Sequence, residues 1–163
     1  MPKKKPVAAT PVIATAVICE KLLIEKDDVV SAIRIVDRLT VTDIPDDFVQ
    51  EVDGKPVAAL TGLKLLVMFK ARGASGERHV LIETVLPSGR KIKSQEVTIN
   101  FLPGTSGANV RADLPVFPKE EGIHWYLVKL DGKTLTRAPL EVVHGKSPSR
   151  DEDGSPEHPE GKD

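Results

Sequence analysis

The chain is expected to fold as an all-β protein, an antiparallel β-sandwich of about seven or eight strands with immunoglobulin-like or Greek-key connections and disordered termini. Three observations carry this. Short apolar stretches alternate in hydrophobicity with period two. Turn residues separate them at close intervals. Almost no stretch shows the 3.6-residue period of an amphipathic helix. At 163 residues the chain has the size of one domain, which buries enough surface to fold without disulfides or a structural metal.

Residues 1 to 10 hold Lys3, Lys4 and Lys5 among Pro and small residues and are expected to form a flexible basic arm. The sandwich is placed at 11 to 144. From 145 to 163 three basic residues face six acidic ones among Pro, Gly and Ser, so a disordered acidic tail is expected. "MPKKKPVAATPVIATAVICE" also admits a weak export signal with a cleavage site at Ala14-Thr15-Ala16. Pro11 and the Thr and Ala content favour a strand behind a flexible arm, hence a soluble, cytoplasmic protein. The apolar run is shorter than the roughly 20 residues of a membrane-spanning helix.

Along the chain, "TPVIATAVICEKLLI" and "VVSAIRIVDRLTV" flank "EKDD". Val29, Val30, Ile33 and Val36 also fit one face of a helix with Asp27 or Asp28 as N-cap. The β-branched run Ile33, Ile35, Val36 and Thr40 favours strand. Residues 42 to 56 read as a polar connection with one helical turn at 46 to 51. "GLKLLVMFKA" and "RHVLIETVL" read as strands joined by a hairpin loop at "RGASGE", and "LPSGRK" supplies the next turn, with Gly89 at positive φ. "EVTINF" places Val97, Ile99 and Phe101 on one side. "ANVRADL" does the same with Ala108, Val110, Ala112 and Leu114.

The last hairpin, "EGIHWYLVKLDGKTLTRAPLEVV", turns at Asp131-Gly132, a two-residue type I′ signal. Counting outward from that turn pairs Val128 with Leu135, Tyr126 with Arg137, His124 with Pro139 and Trp125 with Ala138. Ile123, Trp125, Leu127, Ala138 and Leu140 then form a core face. His124, Tyr126 and Arg137 fall on the opposite, partly exposed face, a candidate surface for a protein partner.

Two stretches, "ATAVICEKLLIEKDDVVSAIRIVDRLTV" and "EGIHWYLVKLDGKTLTRAPLEV", resemble an uncharacterised bacterial family of small all-β proteins known only as a domain of unknown function. Ala14 to Glu20, Ser31 to Asp37, Glu121-Gly122 and Asp131-Gly132 carry the likeness. The resemblance implies a bacterial origin and a sandwich fold and brings no catalytic residues.

Little in the chain points to chemistry. "GASGE" and "GTSGA" do not fit a nucleophile elbow or a phosphate-binding loop and read as hairpin loops. His79, His124, His144 and His158 show no metal-ligand spacing. "DEDGS" puts Lys162 where a calcium loop needs Glu. Asp43, Asp46 and Asp47 offer the one weak alternative for a metal. Cys19 sits in an apolar strand and reads as a small core residue. A formal net charge of −1 with few aromatics argues against nucleic-acid binding. The expectation is therefore a non-enzymatic interaction or accessory module without cofactor. It would meet a protein partner, or a second copy of itself, through a sheet edge or face. A sandwich binding carbohydrate, lipid or calcium at its end loops is the alternative.

Overall fold

The computed structural model describes residues 13–42, 49–52, 54–70, 73, 75–102 and 107–146. The expected basic arm lies outside them, as does the acidic tail except for Gly145 and Lys146. Among the described residues the regular structure is entirely β, in eleven strands: β1 (Ile13–Ile24), β2 (Val30–Ile35), β3 (Arg38–Val41), β4 (Val49–Val52), β5 (Lys55–Ala58), β6 (Leu60–Lys70), β7 (Gly76–Val85), β8 (Lys91–Phe101), β9 (Gly107–Val116), β10 (Gly122–Leu130) and β11 (Lys133–His144). No helix among them is long and apolar enough to cross a membrane.

One sheet has the order β2-β1-β6-β9 and the other β3-β11-β10-β7-β8. Every neighbouring pair is antiparallel except β11 with β3. Strands β6 to β11 thus run as a Greek key, with β1-β6-β9 facing β11-β10-β7-β8 as in immunoglobulin-like sandwiches. Nine strands build the two sheets, more than the sequence suggests. β4 and β5 form a separate small antiparallel pair; of the helical turn expected at 46 to 51, residues 49 to 51 are strand and 46 to 48 lie outside the described residues.

The alternating stretches become strands because their apolar side chains meet between the sheets. Leu65, Val67 and Phe69 of β6 and Val110, Ala112 and Leu114 of β9 pack against Val80, Ile82, Ile99, Phe101, Tyr126, Val128 and Leu140. The Phe69 and Phe101 rings meet edge to face at 6.5 Å across the sandwich. Residues 20 to 40 are strand rather than helix. Val36 N still donates to Ile18 O at 2.9 Å in the first sheet, whereas Asp37 O already accepts from Glu141 N of the second. The chain therefore changes sheets at Val36-Asp37.

Two loops differ from expectation. "RGASGE" joins β6 to β7, and "GTSGA" lies between β8 and β9; each pair sits in different sheets, so both loops cross the sandwich rather than close a hairpin. Local turn composition does not encode which sheet receives the next strand. At "LPSGRK", Gly89 adopts φ +82° and its N–H donates to Leu86 O at 2.8 Å, closing the β7–β8 hairpin.

Candidate interaction surface

The β10–β11 hairpin turns where expected, with Asp131 at φ +48° and Gly132 at φ +81°. Its register does not run on as counted. Leu130 pairs with Lys133 and Lys129 with Thr134, but Val128 then faces Thr136, Tyr126 faces Ala138 and His124 faces Leu140. A β-bulge inserts Leu135 into β11. Because strand side chains alternate with period two, one extra residue exchanges the face that every later β11 residue shares with β10.

His124 and Tyr126 are consequently fully buried at 0% exposure, on the core face with Val128, Ala138 and Leu140. Trp125 and Leu127 are half-buried on the outer face and Ile123 is exposed there. This corrects the expected placement: His124, Tyr126 and Arg137 do not share an exposed surface. Only Arg137 lies outside, with its guanidinium carbon 4.3 Å from the centre of the Trp125 ring. That cation–π contact covers the indole face that a planar ligand would need.

His124 and Tyr126 fasten one corner of the sandwich through their polar atoms. Tyr126 Oη donates to Pro115 O at 3.0 Å, and burial pushes the phenol pKa well above its ordinary value, so the hydroxyl remains a donor. His124 Nε2 lies 2.8 Å from Glu120 O, which makes that nitrogen the donor of the pair. His144 Nε2 is 2.6 Å from Pro118 O and the Glu120 carboxylate accepts from Ser88 N at 3.1 Å. Three side chains thus bond to backbone at or beside the β9–β10 connection, and Glu120 ties that connection to the β7–β8 turn. That is a structural assignment for His124 and Tyr126. Single-sequence reading misses it because the signal is the bulge, which leaves no composition mark.

Around Arg137 the outer face of the second sheet is knitted by ion pairs. Lys129 Nζ meets Glu83 Oε1 at 3.0 Å with both side chains largely covered, and Arg38 Nε meets Glu141 Oε2 at 2.6 Å. The β8 edge carries Lys91, Lys93 and Glu96, the last two paired at 2.5 Å, and Lys93 holds the Glu96 carboxyl below the usual carboxylate range. β9 presents Arg111, Asp113 and Pro115, and β3 is only four residues long. Charge, proline and brevity are the devices that discourage strand addition at an edge.

β2, the remaining edge, has different properties. Of the six exposed large apolar side chains among the described residues, Ile24, Val29, Ile33 and Ile35 lie on the β1–β2 hairpin. Ile35 is 71% exposed. The ladder between β1 and β6 ends at Cys19–Lys64, whereas β1 and β2 stay paired to Ile24–Val30. A three-residue loop closes the hairpin: Asp28 N donates to Glu25 O at 3.1 Å, Glu25 N to Val29 O at 2.8 Å, and Asp28 takes φ +62°. Burial raises the Cys19 thiol pKa, which keeps this fully buried side chain protonated and inert.

Beside this hairpin a cleft of about 430 Å³ opens between the sheets, lined by Leu39, Leu60, Leu63 and Val116 with Glu20, Thr61 and Gly62. No group of His, Cys, Asp and Glu able to hold a metal occurs among the described residues. Asp43, Asp46 and Asp47 lie outside them.

No protein-family model matches the chain, and no curated protein matches its sequence. Among solved structures it is similar to a β-glucosidase from Listeria innocua, at 12% identity and a TM-score of 0.44 over 85% of this chain. The chain spans only 16% of that enzyme. It is also similar to an immunoglobulin-like protein from Pseudomonas aeruginosa, at 15% identity and a TM-score of 0.40 over 83% of this chain and 99% of the other.

Proposed function

We propose that the chain is a non-enzymatic β-sandwich interaction module whose contact surface is the β1–β2 hairpin. The observation that carries this reading is the concentration of exposed Ile24, Val29, Ile33 and Ile35 on a hairpin at one sheet edge, where Arg34 is the one charged residue of β2. Clustered exposed apolar side chains mark contact surfaces, and an open edge offers unpaired backbone donors and acceptors to an incoming strand. The expected partner is therefore a protein. The test is a pull-down at low bait concentration comparing the full chain with an Ile33→Lys, Ile35→Lys double variant. A near-stoichiometric partner retained by the full chain and lost with the variant is expected. A partner retained equally by both would move the site off the hairpin.

The cleft supports a second reading, a small apolar ligand lodged between the sheets. Its volume falls in the range of small-molecule sites, roughly 300–1,000 Å³. A fatty acid that raises the melting temperature of the full chain and loses its effect on Leu39→Trp would favour this reading.

A further inference from the structure

We infer that the edge strand β2 pairs antiparallel with β2 of a second copy of this chain, related by a twofold axis at Ser31. The inference rests on the reading of the hairpin as the contact surface and names its occupant. Glu25 N donates to Val29 O, so the alternation of an antiparallel ladder turns the backbone groups of Val29, Ser31 and Ile33 toward β1. Those of Val30 and Ala32 then point outward, away from β1. Centring the twofold on Ser31 sets Val30 opposite Ala32 of the other copy, so each such pair exchanges both backbone bonds.

The side chains agree with this register. It places exposed Val29 opposite exposed Ile33 of the second copy, twice over. At each end of this short pairing, the tip holding Glu25, Asp27 and Asp28 against Lys26 comes near the point where Arg34 of the second copy leaves the strand. Arg34 now meets Glu20 at 3.3 Å, with both side chains well exposed, a pair that contributes little and exchanges readily. An acidic tip and an arginine on the same strand form a self-complementary pattern, which a twofold interface requires and a foreign strand does not.

The pairing is short, because Arg34 takes φ +53° and turns the strand out of extended geometry beyond Ile33. A contact of this length falls below the ~1,200 Å² of a stable interface. The dimer should accordingly be weak, with a dissociation constant on the order of 10⁻⁴ M.

Sedimentation velocity of the full chain from micromolar to millimolar concentration tests this, beside Ala32→Pro and Ile33→Lys. Ala32→Pro removes a donor that the ladder with β1 does not use, and Ile33→Lys puts charge at the apolar contact. The full chain should pass from monomer to dimer, and each variant should raise the dissociation constant at least tenfold. Should either variant fail to fold, hydrogen exchange on the unmodified chain supplies an independent reading: the Val30 and Ala32 amides should gain protection as concentration rises. A monomer at every concentration, or a dimer indifferent to both variants with unchanged Val30 and Ala32 exchange, would overturn the inference. A monomeric chain that still loses a captured partner with the Ile33→Lys, Ile35→Lys double variant would leave the proposed function intact and remove only the self-pairing.

Discussion

Two hairpins in this protein share one local grammar and have opposite fates. β1–β2 and β10–β11 both turn through an aspartate at positive φ, Asp28 at +62° and Asp131 at +48°. β10–β11 has a strand on either side, β7 and β3, and buries His124, Tyr126, Val128, Ala138 and Leu140 against the other sheet. Its turn is also held from outside, since Asp131 accepts from His79 N at 3.0 Å and from Arg78 Nη1 at 3.1 Å. The β1–β2 turn has local bonds, Asp28 N to Glu25 O and Val29 N to Asp27 Oδ1 at 3.4 Å, and leaves its isoleucines exposed. Turn chemistry makes a hairpin, and neighbouring strands decide whether it becomes core or surface.

The comparison breaks most visibly in the buried hairpin. Tyr126→Ala should lower unfolding free energy by about 3–5 kcal/mol in urea titrations, because it opens a cavity between the sheets. Tyr126→Phe should lose about 1–2 kcal/mol, the consequence of leaving Pro115 O without its donor. A Tyr126→Ala loss below about 1 kcal/mol would contradict the burial of this side chain.

Next in size is the turn. Gly132→Val should destabilise by about 1–3 kcal/mol, since a β-branched residue at φ +81° is strained. Thermal denaturation of this variant beside Gly132→Ala, expected to lose less, checks the steric origin.

Acid should sharpen the contrast. The His79 backbone donor, followed by Arg78, holds the Asp131 carboxyl below the ordinary carboxylate pKa. A depressed folded-state pKa contributes stability above the unfolded value of about 3.9, and that stability is lost as pH falls through the folded value. Asp131→Asn should melt below the unmodified chain at pH 7, with the gap closing below about pH 4. Melting curves between pH 2.5 and 7 give the answer, and a gap independent of pH would assign the loss to geometry instead of charge.

The smallest effects belong to the open hairpin. Ile33→Lys and Ile35→Lys should each change monomer stability by less than about 0.5 kcal/mol, because both side chains already face solvent. Amide exchange should be faster in residues 24–35 than in 122–143 of the dilute chain, and equal rates would remove the distinction drawn between the hairpins.

Much of this was legible from period and turn. The alternation of Val110, Ala112 and Leu114 identified β9 and its buried face, and Asp131-Gly132 located the final turn. The candidate surface was not legible. Counting pairs outward from a correct turn put His124 and Tyr126 outside, because the inserted Leu135 follows from how β11 fits its neighbours. Nor did the loop sequences state that β6 and β7 belong to different sheets.

By itself the sequence determined that the chain is a β protein, where most of its strands lie, and which glycine and aspartate positions turn it. Those properties depend on residues within a few positions of one another, through pleat periodicity and local backbone sterics. The tertiary structure alone decided the face that β10 turns inward, the half-covered position of Trp125 beneath Arg137, and the exposure of the apolar side chains of β2 at a sheet edge. Each depends on strands distant in sequence, whose pairing selects one register among several that local preference leaves nearly equal.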